Sequence, residues 1–393
     1  MDKNPGFLKT VHIPVPLIDS TRIHRNIRAM AIRAKNAHVR FRPHFKTHQS
    51  AAIGEWFREA GVSGITVSSV AMARYFAENG WTDITLAFPF NVRELAELNQ
   101  LDNLADIQLL VDHPDAVAAL AAGVTKNHLV FIKVDTGYHR TGVSWDRQDE
   151  ILTLVHQIES SSILIFAGIL THAGHSYAGP SPKQVKAVFQ ETARKMSNVR
   201  TFLHENGIQD CIVSIGDTPG CSVADDFEKV NEIRPGNFVF YDLMQLSLGV
   251  CDEESLALAL LCPVTGIYPD RNEIVVLGGA VHFSKERLEA DDGEALYGHG
   301  MNLTPEGFGQ LNRNIRLIGL SQEHGIVHAP TEIIRGIGIG GLLPIVPVHS
   351  CLTADLYGGY LTTSGDRISR LNSTSARSAQ LFSPPENSDS VSF

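Results

Sequence analysis

The sequence predicts an α/β protein, a (β/α)8 TIM-like barrel over residues 20–250 followed by an all-β domain over 251–372, which residues 1–19 are free to join. Three observations point there. Strand-like apolar runs alternate with helix-like segments up to residue 242, and near residue 250 that rhythm stops. The chain, 393 residues with 43% hydrophobic and 19% charged, is also long enough to bury two cores.

The apolar runs are VRFRPHFK (39–46), SGITVSS (63–69), DITLAFPF (83–90), DIQLLVD (106–112), HLVFIKVD (128–135), ILIFAGILTH (163–172), CIVSIGD (211–217) and EIRPGNFVFYD (232–242). Between them lie segments with helical spacing and good helix formers, such as RQDEILTLVHQIES and PKQVKAVFQETARKMSNVRTFLHENG. Eight alternations over about 220 residues suit a closed parallel barrel, typically roughly 250 residues long, and a doubly wound open sheet is the alternative. Beyond residue 250, ALALLCPVTGIY, EIVVLGGAVHFS, NIRLIGLSQEHGIVHA and LLPIVPVHSCLTADLY read as strands parted by turns, without long helices. The Ser- and Pro-rich stretch 373–393 is expected to stay disordered.

A formal net charge of −10 offers no basic field for phosphate backbones or anionic lipids, so a small-molecule partner is expected and neither nucleic acid nor membrane. The N-terminal stretch lacks the long apolar run of a signal peptide, and no segment has the roughly 18 uninterrupted apolar residues of a membrane span. The cytoplasm is the expected compartment. Five cysteines without a dense framework read as reduced thiols.

Chemistry begins at RPHFKTH. In an extended chain Arg42, His44, Lys46 and His48 share one face. They are either a solvated edge strand or a cation cluster in the barrel mouth. In the second case crowding lowers the Lys46 pKa, as a Schiff-base lysine for an aldehyde cofactor requires. SIGDTPG (214–220) and RPGN (234–237) fall where barrels of this kind bind phosphate. Gly216 and Gly236 let backbone N–H groups approach an anion, and Thr218 and Asn237 offer side-chain donors; two ordinary tight turns are the plain alternative. Asp217 would repel phosphate unless turned away, and is left out of the site. His349 and Cys351, two apart on an expected strand, are either a zinc pair or core residues.

RPHFKTH, KVDTGYHRTGV (133–143), THAGHSY (171–177), SIGDTP, EIRPGNFVFYD and HSCLTADLY (349–357), taken together in order, resemble the D-serine dehydratase and D-threonine aldolase family along nearly the whole chain. The resemblance implies an alanine-racemase-like, fold-type III enzyme using pyridoxal 5'-phosphate and forming a head-to-tail homodimer. By the same likeness Lys46 carries the cofactor and Arg140 faces its phenolic oxygen. His172 and Tyr177 lie near ring and substrate, while Gly216, Thr218, Gly236 and Asn237 grip the phosphate. His349 and Cys351 become metal ligands, and the His-x-Cys form sides with zinc-using dehydratases over aldolases, whose His-Cys-Asp suits manganese or magnesium. Val-Pro-Val before His349 departs from the family's usual Pro-Asn or Pro-Ser. The implied activity is dehydration of a D-3-hydroxy amino acid such as D-serine or D-threonine to a 2-oxo acid and ammonia. A D-threonine aldolase yielding glycine, an amino-acid racemase and a non-catalytic cofactor carrier are the alternatives.

Overall fold

The computed structural model describes residues 6–179, 181–290 and 292–371; the tail expected over 373–393 lies outside the described residues. Eight parallel strands, Arg40–Phe41, Ile65–Val67, Asp83–Pro89, Asp106–Val111, His128–Asp135, Leu164–Thr171, Ile212–Ile215 and Glu232–Ile233, pair in chain order, the last beside the first. The remaining edges meet where Phe45 N–H donates to Thr66 O and Thr66 N–H to Pro43 O, both at 2.9 Å. The sheet therefore closes, which excludes the open doubly wound alternative. Three barrel helices start on side-chain caps: Ser50, Ser69 and Ser181 accept from Ile53, Met72 and Gln184 N–H.

Two strands are much shorter than the apolar runs suggest. Pro43 and Pro235 have no N–H to give to a ladder, so regular pairing ends at Phe41 and Ile233. Residues 237–242 then form a turn, and Asp242 caps the helix Leu243–Ser247. VRELAELNQL likewise yields only a turn at Val92–Glu94 and the short helix Leu95–Asn99.

The barrel floor is polar but satisfied. Arg42, with no exposed surface, donates Nε to Glu232 Oε2 at 2.7 Å and takes both Asp83 oxygens at 2.7 and 2.9 Å. Glu232 also accepts from Ser214 Oγ at 2.7 Å, and that hydroxyl accepts from Arg234 Nε at 2.8 Å. A chain of charge-assisted bonds thus runs from the floor to an arginine at the upper rim.

In the second unit the strands Leu258–Tyr268, Glu273–Leu277, His324–His328, Gly307–Leu320, Gly298–Thr304 and Leu342–Pro347 form a closed antiparallel ring. The N-terminal strand Val15–Ile18 joins this sheet, pairing with Leu258–Tyr268 and with Gly359–Thr362. Arg22, on the first barrel helix Ser20–Asn36, binds the two units together by donating to the carbonyls of Glu253, Leu256, Phe308 and Gly309 at 2.7–3.1 Å.

Removing one partner of a buried ion pair strands the other charge. Arg42→Met should therefore lower unfolding stability by about 3–5 kcal/mol in urea titration, and a loss below about 1 kcal/mol would contradict this account of the floor.

Candidate active site

All barrel strands end at one rim, where their loops and the helix Ser350–Asp355 of the β domain wall a cavity of about 770 Å³. Each of the ten residues that the resemblance assigns to cofactor, substrate or metal lines it.

RPHFKTH is not one extended face. After Pro43 the chain turns, placing Arg42 in the floor, His44 and Lys46 in the cavity, and His48 outside it in an aromatic cluster with Phe45, Phe57 and Phe76. Lys46 lines this cavity and keeps exposed surface. Burial lowers its pKa, helped by the cations Arg140 and Arg234 and opposed by Cys351. His44 and His172 are pushed well below the usual histidine range, first by burial and then by Lys46. Both are neutral imidazoles near neutral pH.

The loop of KVDTGYHR is wound around Asp135. Its Oδ1 accepts from the N–H groups of Gly137, Tyr138 and His139 at 2.9–3.1 Å, bringing Tyr138 and Arg140 to the rim, with the guanidinium 5.1 Å from the Tyr138 ring. His172 Nδ1 contacts Gly216 O, which fixes its ring near Tyr138 and Tyr177. Burial raises the Tyr177 phenol well above its ordinary value, with Cys351, Asp217 and Asp242 adding to the effect. It is a hydrogen-bond donor and not a base.

Gly216, Thr218 and Gly236 form one wall. A Cβ on Gly236 would stand 2.8 Å from His44 O, so only glycine fits there, and Gly236 N–H donates to Thr218 Oγ1 at 3.2 Å. Asp217 is turned back, accepting from Gly220 N–H at 2.5 Å and Ser176 Oγ at 2.9 Å, and burial raises its pKa to about 6. The Asn237 amide is not free for a phosphate. Its Nδ2 donates to Asp242 Oδ2 at 2.7 Å and Ser350 Oγ at 3.1 Å, and lies 3.4 Å from Cys351 Sγ.

His349 and Cys351 are not on a strand. The strand ends at Pro347, His349 caps the helix Ser350–Asp355, and Cys351 sits in its first turn. The sulfur still reaches the cavity, 3.2 Å from Thr47 Oγ1. Burial opposes both shifts, yet His349 and Lys46 lower the Cys351 pKa, and Asp242 with Cys351 raises that of His349 to about 11. A thiolate beside an imidazole is a donor set for a borderline-soft cation. Among the described residues no group of three or more His, Cys, Asp or Glu is placed to hold a metal ion.

Lys133 and Arg234 line the cavity as well and were not singled out. The signal lay in the motifs: each is a lone cation inside an apolar strand run, HLVFIKVD and EIRPGN, at its C-terminal end. Neither they nor Arg140 form an ion pair among the described residues, and burial first, then the other cations, depresses Lys133 well below its ordinary value. Three cations without carboxylate partners, a hydroxyl and a glycine-only wall fit a phosphorylated, multiply anionic cofactor.

A parallel barrel with such a lysine in its mouth and a β domain across it is the architecture of the alanine-racemase-like, fold-type III pyridoxal-phosphate enzymes. Residues 18–243 match the alanine racemase N-terminal domain and residues 257–363 a putative serine dehydratase domain. D-threo-3-hydroxyaspartate dehydratase of Delftia sp. is 32% identical over 369 residues, spanning 91% of this chain and 96% of the relative. Its solved structure has a TM-score of 0.86 over 93% of this chain and 98% of that one, and one of its variants has been solved in a metal-free form. D-serine dehydratase of Dictyostelium discoideum is 29% identical over 389 residues, spanning 93% and 97% of the two chains. The chain belongs to the D-serine dehydratase family, whose relatives here are lyases. Among the described residues no helix is long and apolar enough to cross a membrane.

Burial raises the other four thiols, while Cys351 is lowered and so remains thiolate at lower pH. Iodoacetamide at about pH 7 should label Cys351 first, with zinc protecting it; equal labelling of all five cysteines would contradict the assignment.

Proposed function

We propose that the protein is a pyridoxal-phosphate- and zinc-dependent lyase that dehydrates D-serine and D-threonine to a 2-oxo acid and ammonia. The observation that carries this reading is the 3.2 Å contact between Cys351 Sγ and Thr47 Oγ1. Thr47 is the neighbour of Lys46, and Lys46, His349 and Cys351 all line one cavity. A racemase needs no such pair.

The residues would divide the work as follows. Lys46 would hold the cofactor, Arg140 its phenolic oxygen, and Gly216, Thr218 and Gly236 its phosphate. Asn237 would act through its backbone and by bracing the Asp242 and Ser350 side. His349 and Cys351 would hold the metal. When bound, the pyridoxal ring supplies a sink for charge from the α-carbon, and the metal supplies a Lewis acid for the 3-hydroxyl, worth several kcal/mol to a poor leaving group. Lys46 Nζ would take the α-proton, and its pKa, lowered first by burial, favours the neutral amine that this needs. Tyr177, held protonated, donates a hydrogen bond toward substrate, and the neutral His172 packs beside it. Lys133, which has no ion-pair partner among the described residues, would favour a substrate carboxylate over a neutral group. We further propose a head-to-tail homodimer acting in the cytoplasm.

Purified protein should convert D-serine to pyruvate and ammonia, and glycine plus aldehyde from D-threonine would instead mark an aldolase. Lys46→Ala should remove the visible absorption of the lysine-bound cofactor while the protein stays folded. Chelation should leave that absorption and abolish 2-oxo acid formation, with recovery on adding zinc. Full activity after chelation would overturn the metal's role. Cys351→Asp should shift the preference toward manganese, because carboxylate oxygen suits a harder cation.

A further inference from the structure

The motif FVFYD ends in a carboxylate to which the reaction above gives no part. Asp242 has no exposed surface, and among the described residues it pairs with no lysine or arginine. Capping the helix Leu243–Ser247 occupies one of its oxygens, Oδ1, which accepts from Gln245 N–H at 3.0 Å. The other oxygen faces the opposite way. Oδ2 accepts from Ser350 N–H at 2.9 Å, Ser350 Oγ at 3.2 Å and Asn237 Nδ2 at 2.7 Å, and stands 3.3 Å from His349 Nδ1. That imidazole nitrogen is buried and makes no hydrogen bond, so Oδ2 is the acceptor standing nearest to hand for it. A helix cap alone does not require the second oxygen to gather the turn that carries both His349 and Cys351.

We propose that Asp242 is a positioning residue for the metal, holding His349 with Nδ1 toward Oδ2 so that Nε2 is presented beside Cys351. The inference rests on the reading of His349 and Cys351 as metal ligands. A histidine that binds a cation through one nitrogen needs its other nitrogen held, and a carboxylate there fixes both tautomer and ring orientation. At 3.3 Å the two atoms are within reach of a hydrogen bond that is not yet aligned, and a small turn of the ring would make it. Through the same oxygen Asp242 joins Asn237 of the cofactor wall to Ser350 of the metal turn, so the two parts of the site share one anchor.

The test compares zinc dissociation constants, by chelator competition, for wild type, Asp242→Asn and Asp242→Ala, each loaded with pyridoxal phosphate. Loss of about 10-fold in the Asn variant and up to about 100-fold in the Ala variant is expected. Excess zinc should restore 2-oxo acid formation in the Asn variant, which a purely structural defect would not allow. Affinities within twofold of wild type in both variants would overturn the inference. Wild type that binds no zinc would overturn the metal reading itself. As a readout independent of how the variants fold, nitrogen NMR of His349 in the zinc-loaded wild type should show a protonated Nδ1, and metal on Nδ1 would refute the proposal.

Discussion

Lys46, Lys133, Arg140 and Arg234 face one cavity, and among the described residues none of them forms an ion pair. Confining like charges away from bulk water is costly, and the arrangement is stable only around anions. This constraint explains the lowered pKa of Lys46 and the neutral histidines His44 and His172. It also explains why the thiol that is activated, Cys351, is the one beside Lys46 and His349, while burial silences the others.

The rest of the barrel serves to keep these cations in register. Arg234 cannot drift, because its Nε is tied through Ser214 and Glu232 to Arg42 at the floor and its Nη2 donates to Thr171 O at 2.6 Å. Asp135 does the same for the Arg140 loop with three backbone bonds. The β domain delivers the turn that carries His349 and Cys351 from the other side, and Arg22 ties the two units together by bonding the carbonyls of Glu253, Leu256, Phe308 and Gly309.

Periodicity alone made the barrel and the later β rhythm legible, because strand and helix periods differ and each persists over many residues. Strand ends were less legible. Pro43 and Pro235 stop ladder pairing inside runs that stay apolar, so a smooth hydrophobic pattern hides the break. That break moved His48 out of the cavity and set the Asn237 amide against Asp242. Pro347 acted likewise, placing His349 and Cys351 at a helix start, where they reach the cavity by a route that strand alternation does not describe. Lys133 and Arg234 stood in quoted motifs but looked like part of their strands, and the role of Asp242 depends on partners more than a hundred residues away, at His349 and Ser350. Such pairings are fixed by topology and not by local sequence.

The central claim is that a metal and the cofactor lysine share one cavity. Anomalous scattering at the zinc edge from crystals of the zinc-loaded protein tests it directly. The account predicts a peak about 2.3 Å from Cys351 Sγ and about 2.0 Å from a His349 nitrogen, inside the cavity that Lys46 faces. A peak remote from both side chains, or none in protein that binds zinc in solution, would contradict it.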